Sequence, residues 1–556
     1  NNFLYLNMYP KKELAQTIIA ACRIFEIQTV VISPGSRNAP LTIGFSNHKD
    51  FETLSIVDER CAAFFALGIA QQKQKPVALV CTSGSALLNY YPAIAEAYYS
   101  QIPLVIISAD RPSHLIDIGD GQTIRQENIF QNHILFSANL KENDSDTNSV
   151  KLSKAFSLLH NVKGPIHINA PFDEPLYETV KTMKDFSFKI EKPNLVTGVD
   201  YNNLAQIWNS AAKKMILVGV HYPNAALEIL LDKVADDPSV LVLTETTSNL
   251  NNKRFINSID NLIFNLTKEE FTSLQPDILL TFGGLIVSKK IKKFLREYSP
   301  AEHWHINELR AFDTYQVLSK HIKTDSYTFF QNFYKLVDYK NKSNYESKWT
   351  HYKKQTREKH NHYIKTAPYS DLKVFDLVLK VIPDFSEVQF SNSAIIRYSQ
   401  LFEMNSTITV FCNRGTSGID GSTSTALGAA YATQKPMTLV TGDLSFFYDS
   451  NALWNNYIPT DVRIIIINNS GGGIFKIIPG PKKSPALEYF ETPHCLTAEH
   501  LSTMFGFEYS TAFNLNSLEK EVVSFYEKSD KPKILEIFTP SDQNDLVLKA
   551  YINNLK

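Results

Sequence analysis

The sequence predicts an α/β protein built from three doubly wound parallel-sheet units. Two observations carry that prediction. Short, almost continuously apolar runs of strand length alternate with amphipathic stretches, the pattern of parallel strands covered on both faces by helical crossovers. The pattern occurs in three successive stretches of a 556-residue chain, a length that accommodates about three or four domains. No short repeat period is visible, so a solenoid is not expected.

The first unit, residues 1–185, opens with Leu14, Ile18, Cys22 and Phe25 at helical spacing. Thr29 to Ser33 reads as a buried strand stopped by Pro34-Gly35. A strand (Thr53 to Val57), a helix (Glu59 to Gln72), a strand (Val77 to Cys81), a helix (Ala86 to Tyr99) and a strand (Leu104 to Ala109) follow. Lys141 to Val150 is a loop on composition. The central unit, 186–345, is entered through a boundary near Lys181 to Gly198. Its strands are Met215 to Gly219, Val240 to Thr244, Ile278 to Phe282 and His303 to Ile306. The polar, Lys- and Tyr-rich stretch Tyr339 to Lys365 reads as a helical linker. The last unit, 346–556, places strands at Glu387 to Ser391, Thr407 to Cys412, Met437 to Thr441, Val462 to Asn468 and Lys533 to Phe538.

Composition narrows the function. Lys plus Arg number 56 against 57 Asp plus Glu, so there is no global basic field for a nucleic-acid backbone. Hydrophobic residues at 44% exclude disorder of the whole chain. Five scattered cysteines lack CxxC or zinc spacing and fit a reducing compartment. No segment approaches the ~20 apolar residues of a membrane span. The first residues lack a signal peptide's basic start and apolar core. The expectation is a soluble cytoplasmic protein. His303/His305 and His360/His362 lack partners at metal spacing and read as strand and linker histidines.

No strand leads into GxGxxG or GxxxxGK[ST], which disfavours dinucleotide and P-loop binding. A different pair of strand ends is informative. Asp443, in Gly442-Asp443-Leu444-Ser445, closes one predicted strand, and Asn469, in Asn468-Asn469-Ser470-Gly471-Gly472, closes the next. Both fall at the carboxyl edge of a parallel sheet, where such sheets bind ligands. Carboxylate, amide oxygen and backbone carbonyl are hard donors suited to Mg²⁺ carrying a diphosphate. Either half alone reads more simply as a cap or an Asn-Gly turn; the pair favours the metal.

That spacing resembles the motif of thiamine diphosphate (ThDP) enzymes, although most of them have Gly at the position of Leu444. A longer set of motifs narrows the resemblance. In order these are Ser33-Pro-Gly-Ser-Arg-Asn-Ala-Pro40, Asp58-Glu59-Arg60, Thr82-Ser83-Gly84, Ala109-Asp-Arg-Pro112 and Gly121-Gln-Thr-Ile-Arg-Gln126. Asn392-Ser393 with Arg397, Asn413 to Gly421, Gly442 to Ser445 and Asn468 to Phe475 complete the set. Together they resemble the MenD family, the 2-succinyl-5-enolpyruvyl-6-hydroxy-3-cyclohexene-1-carboxylate (SEPHCHC) synthases of menaquinone biosynthesis. Gly-Asp-Leu-Ser is that family's own form of the cofactor motif. The resemblance covers both outer units strongly. It touches the central unit only through Gly283 and Lys289-Lys290.

The resemblance implies a ThDP-type fold with a pyrimidine-binding first unit and a diphosphate-binding last unit. It implies a homodimer or homotetramer with shared sites, ThDP, and Mg²⁺ with Mn²⁺ as the alternative. The substrates would be 2-oxoglutarate, which loses CO₂, and isochorismate, which receives the succinyl unit. Glu59 would hydrogen-bond the pyrimidine ring, with Gln122 also catalytic. Ser393, Ile419, Gly421, Asp443, Ser445 and Asn469 would contact cofactor, Ile419 as an apolar wedge. Asp443, Asn469 and the Gly471 carbonyl would hold the metal. Two dicarboxylate substrates call for several guanidinium forks, and Arg37, Arg111, Arg397 and Arg414 stand at or near predicted strand ends. Ser36, Gln122, Lys289 and Lys290 would join them, with Ile474, Phe475 and Ile478 as an apolar wall. The chain departs from the family at Gly121, where Asn is frequent, and at Glu127-Asn128 in place of Pro-Gly. Two alternatives stay open: another ThDP carboligase of the acetolactate-synthase kind, and a non-catalytic ThDP- or dicarboxylate-binding regulator.

Overall fold

The computed structural model describes residues 8–190, 198–264, 266–339, 342–478 and 480–556. Part of the expected 181–198 boundary, and residues 340 and 341 of the linker, lie outside them.

The first unit contains β1 (Tyr9–Pro10), β2 (Thr29–Ile32), β3 (Glu52–Ser55), β4 (Val77–Cys81), β5 (Leu104–Asp110), β6 (Ser137–Asn139), β7 (Ile166–Pro171) and β8 (Thr179–Val180). β1 and β8 form a short antiparallel ribbon, and the other six make a parallel sheet in the order β3-β2-β4-β5-β7-β6. The central sheet comprises β9 (Lys214–Val218), β10 (Val240–Thr244), β11 (Ile278–Phe282), β12 (Glu302–Ile306) and β13 (Leu318–Ile322). Its order is β10-β9-β11-β12-β13. The last sheet runs through β14 (Glu387–Phe390), β15 (Thr409–Phe411), β16 (Met437–Gly442), β17 (Val462–Asn468), β18 (Glu508–Ala512) and β19 (Lys533–Phe538) in the order β15-β14-β16-β17-β19-β18. The two outer sheets therefore share one topology. In each, the chain reverses direction across the sheet beside its first central strand, the kind of switch point at whose carboxyl edge parallel sheets bind ligands.

The outer units also share a core. Helix Glu59–Lys73 crosses helix Ser422–Thr433 at a contact of small residues. A Cβ on Gly68 would stand 2.1 Å from the Thr425 carbonyl oxygen, and one on Gly428 would stand 2.0 Å from that of Phe65. Glycine at both crossing points lets the backbones meet, and Phe64, Phe65, Leu427 and Ala430 close one continuous apolar cluster over both units.

Some expectations are corrected. The polar run 141–150 is not all loop: helix Ser145–Val162 begins inside it, and Asn148 clasps the backbone N–H and carbonyl of Lys141. The helix expected over 86–99 is broken into Ala86–Asn89 and Tyr91–Ser100, the second carrying Pro92 in its first turn, where a missing N–H costs nothing. Strands β1, β6, β7, β8, β13 and β18 go beyond those that the sequence predicts. The linker forms helix Tyr345–Thr366; its Tyr345 and Trp349 are buried in the central core and its Ile364 in the last. No helix among the described residues is long and apolar enough to cross a membrane.

Candidate active site

The carboxyl edge of the last sheet gathers oxygen donors. β16 ends at Gly442, and Asp443 opens the helix Asp443–Tyr448, buried at 3% exposure. Its Oδ1 accepts the Leu444 N–H at 2.7 Å and its Oδ2 the Gly471 N–H at 2.9 Å. His494 Nε2 stands 3.3 Å from the same Oδ2. One strand over, Asn469 donates from Nδ2 to Asp371 Oδ2 at 3.0 Å, which turns its Oδ1 the other way. That Oδ1 is buried and has no hydrogen-bond partner. A buried acceptor left unpaired is costly, so it marks a place for a donor or a cation. The Gly471 carbonyl is engaged by the Gly473 N–H at 3.0 Å and keeps a second lone pair.

These donors fit Mg²⁺ better than a softer ion. Among the described residues no cluster of three His, Cys, Asp or Glu side chains could hold a metal unaided. One carboxylate with neutral oxygens suits a cation that brings its own anionic ligand, as a diphosphate does. Asp371 was not foreseen. Burial pushes its carboxyl up to about 6, while Thr539 (2.6 Å) and Asn469 bond to it. Nothing in the local sequence distinguishes it from an ordinary first-turn acid.

Around this edge, Ser445 donates to the Ile419 carbonyl at 2.6 Å, leaving the Ile419 side chain partly exposed. Gly421 has φ +72°, and a Cβ there would fall 2.2 Å from the Phe64 ring. Ser393 holds φ 67°, ψ −129°, a conformation that costs a non-glycine residue about 1–3 kcal/mol. Ile474 is buried, while Phe475 and Ile478 are half-buried; Phe475 meets Phe490 with ring centroids 5.5 Å apart.

Glu59 lies at the first turn of helix Glu59–Lys73, capped by Asp58, which accepts the Cys61 N–H at 3.1 Å. Its neighbours reach into the last unit. Asp58 accepts from Asn451 at 2.8 Å, and Arg60 donates to the Tyr448 carbonyl and stacks on the Tyr448 ring at 4.7 Å. Glu59 instead makes its charge felt at Cys81 and Tyr90 of its own unit. Desolvation raises its pKa above the ordinary glutamate value. Among the described residues no hydrogen bond or ion pair joins Glu59 to Asp443 or Asn469 within one chain.

The four arginines fall into two pairs. Arg37, 4% exposed, donates to the Phe172 carbonyl at 2.8 Å and lies 3.3 Å from Glu174. Burial, then the nearby Arg111 charge, lowers its pKa. The Nε of each is buried without a partner. Ser36 and Gln122 are exposed beside this pair's segments. Gln122 (φ 54°) accepts through its carbonyl from Ser83 Oγ at 3.0 Å. Gln126, also unforeseen as a site residue, ties these loops together. It accepts the Gly84 N–H (3.0 Å) and donates to the Ala109 carbonyl (3.1 Å) and Asn169 (2.9 Å).

Arg397 and Arg414 form the second pair, across the boundary with the central unit. Arg414 donates to Asn392 Oδ1 at 2.7 Å, and its Nε is buried without a partner. Burial lowers the Arg397 pKa, as does Arg414, against Asp260 and Glu245. Lys292 also faces Glu245, with Arg414 and Arg397, and is likewise lowered by burial. Glu245 accepts the Val287 and Ser288 N–H groups at 2.7 Å each, yet burial pushes it up to about 7. Lys289 and Lys290 are exposed on the first turn of helix Lys289–Glu297, Lys290 over the Phe264 ring. Lys292, one helical turn from Lys289, is the lysine whose charge bears on both arginines. The histidines of the central strands are structural: Thr281 Oγ1 meets His303 at 2.9 Å and His305 at 2.7 Å.

Comparison with known proteins bears on this arrangement. Residues 12–137 match a family described as thiamine pyrophosphate enzyme, N-terminal TPP binding domain. A protein of Flavobacterium psychrophilum is 55% identical over 555 residues, spanning 99% of this chain and 100% of that one. It is named 2-succinyl-5-enolpyruvyl-6-hydroxy-3-cyclohexene-1-carboxylate synthase. Proteins of the same name from Flavobacterium johnsoniae and Christiangramia forsetii are each 53% identical over 99% of this chain and the whole of their own.

Proposed function

The chain belongs to the SEPHCHC synthase family, and from that premise we propose that it is a ThDP- and Mg²⁺-dependent synthase of menaquinone biosynthesis, with Mn²⁺ as the alternative ion. It decarboxylates 2-oxoglutarate and adds the succinyl-semialdehyde carbanion equivalent to isochorismate, releasing CO₂. The observation that carries the metal-dependent part is the unpaired Asn469 Oδ1 beside the buried Asp443 carboxylate.

When bound, ThDP supplies the carbanion chemistry of decarboxylation and carboligation. The chain's own residues do the rest. Asp443, Asn469 and the Gly471 carbonyl hold the cation; Ser393, Gly421 and Ser445 shape the floor, and Ile419 wedges the cofactor. Glu59, kept less acidic by its partial burial, holds a proton at the pyrimidine ring, with Gln122 beside the reacting groups. Arg37 and Arg111 on one side, and Arg397 and Arg414 with Lys292 on the other, grip carboxylates. Ser36, Lys289 and Lys290 keep lesser roles at the rim, and Ile474, Phe475 and Ile478 form the apolar wall. Residues 1–185 are the pyrimidine-binding unit, 186–345 the central unit and 346–556 the diphosphate-binding unit. Among the described residues no hydrogen bond or ion pair joins Glu59 to the Asp443–Asn469 edge of its own chain, and in the proposed assembly, a homodimer or a homotetramer, the complete site takes its two halves from two chains.

The test is a coupled assay with 2-oxoglutarate and isochorismate, with and without ThDP and Mg²⁺, beside an arm with pyruvate. Turnover with 2-oxoglutarate that needs both cofactors supports the proposal. A preference for pyruvate would move the protein to another carboligase class, and absence of any decarboxylation would leave a binding protein.

A further inference from the structure

Glu96 lies on helix Tyr91–Ser100 of the first unit and is 1% exposed. Among the described residues it has no salt-bridge partner. Its carboxylate is held instead by donors of the last unit and one serine of its own helix. Oε1 accepts the Gly415 N–H at 2.7 Å and Ser100 Oγ at 2.8 Å. Oε2 accepts the Thr416 N–H at 2.7 Å and Thr416 Oγ1 at 3.0 Å. A buried ionised carboxylate is costly unless its lone pairs are filled; here four donors fill them, three from one loop.

That loop follows β15 and begins with Asn413-Arg414. Gly415 is pressed so close that a Cβ would lie 2.5 Å from the Glu96 carbonyl oxygen and 2.8 Å from Ser100 Oγ. The backbone after Arg414 therefore has one seat. From the other side, Asn392 takes the Arg414 guanidinium at 2.7 Å and donates from Nδ2 to the Asn413 and Gly418 carbonyls, both at 2.7 Å. Cys412, just upstream, feels the Arg414 and Glu96 charges together. Glu96 grips the residues after Arg414, and Asn392 the guanidinium itself.

We infer that Glu96 is a positioning residue for carboxylate recognition: it reaches from the first unit into the last and fixes the loop that aims Arg414 at substrate. The inference rests on the reading of Arg414 as a substrate-binding residue and adds the group that sets its pose. A guanidinium fork discriminates by direction as well as charge, so a loop free to shift by an ångström keeps the charge and loses the geometry.

Glu96→Gln preserves size but turns a donor toward the Gly415 or Thr416 N–H. Steady-state kinetics with each substrate, on Glu96→Gln, Arg414→Lys and the double variant, test the inference. Glu96→Gln is expected to raise KM about tenfold for the same substrate that Arg414→Lys weakens, with kcat within about threefold of wild type. The double variant should be no worse than the worse single, because the two act through one contact. Additive losses, or a KM effect on the other substrate, would overturn the inference. If Arg414→Lys weakens binding and Glu96→Gln does not, Glu96 alone is misassigned. If Arg414→Lys leaves both substrates untouched, the arginine reading fails and this inference with it. Should Glu96→Gln not fold, Thr416→Val removes one of the four bonds at nearly constant shape. The same cycle then applies: coupling to Arg414→Lys supports the inference and additivity overturns it.

Discussion

The first and last sheets have the same strand order but carry different chemistry at their carboxyl edges. The last sheet's edge collects buried side-chain oxygens: the Asp443 carboxylate accepts the Leu444 and Gly471 N–H groups, and Asn469 is held through its Nδ2 by the Asp371 carboxylate. The first sheet's edge presents a half-buried glutamate whose proton is held more tightly than usual, and loops tied down by Gln126. On the proposed reading, one topology thus anchors a cation in one place and handles a proton in the other. The difference comes from which side chains follow the strands and not from the fold.

The largest expected effect breaks the proton-handling half. Glu59→Gln keeps the shape and removes the titrating group, so turnover should fall by about 10²- to 10⁴-fold while ThDP binding, read by calorimetry, persists. Wild-type turnover in this variant would end the assignment. Next comes the anchoring half. Asp443→Ala should weaken ThDP binding by at least tenfold, and a chelator should inactivate the wild type reversibly; unchanged calorimetric affinity would count against the metal site. Mixing the two inactive chains sharpens the comparison. If the halves come from different subunits, exchange should form one intact site per mixed dimer and restore part of the activity. No rescue despite proven exchange would place the whole site within one chain.

A smaller effect separates recognition from support. Arg397→Lys or Arg414→Lys keeps charge and loses the fork, so kcat/KM should drop about tenfold, or ~1.4 kcal/mol, with little change in melting temperature. Early melting with normal turnover of the folded fraction would make these arginines structural.

How much of this was legible in the sequence follows from its physics. Val77–Cys81 and Val462–Asn468 are short, largely apolar runs and are legible, whereas the equally buried β7 is not, because His167 and Asn169 interrupt its run. β18 (Glu508–Ala512) lies at an edge of its sheet, is partly exposed and has a mixed composition, so no run marks it. The helix that starts at Ser145 hides in a polar stretch because its first turn faces water. The motif residues were legible as a set because several strand ends had to agree. Asp371 and Glu96 are not: each acts through a contact between segments far apart in the chain, and nothing around it in sequence encodes that partner; Gln126 closes one of the motifs, but its bonds to Gly84, Ala109 and Asn169 are hidden for the same reason. Lys292 is hidden for the opposite reason: it sits among several basic residues, and only packing shows that it is the desolvated one facing the arginines.

The smallest prediction concerns stability and tests the desolvation of Glu59 without any cofactor. Its folded-state pKa is raised, chiefly by burial. A carboxyl raised in this way stabilises the fold while protonated in both states, below its unfolded value near 4.3. That contribution is lost as pH climbs through the folded value, because the folded state must then bury charge. At pH 8 the wild type therefore carries a penalty that Glu59→Gln does not. The group is only half-buried, so solvent screening keeps the difference under about 1 kcal/mol. Thermal melts of the cofactor-free protein from pH 8 to pH 5 should show Glu59→Gln slightly more stable at the alkaline end, with the gap narrowing as pH falls. A gap that is constant with pH, or reversed at pH 8, would mean the carboxylate is well solvated where it stands. The last sheet offers no equivalent reading, since removing Asp443 also strips the acceptor from the Gly471 N–H. A gain from Glu59→Gln beside a loss from Asp443→Ala, both measured at pH 8, would show that the first edge carries strain for its chemistry while the last is built to hold still.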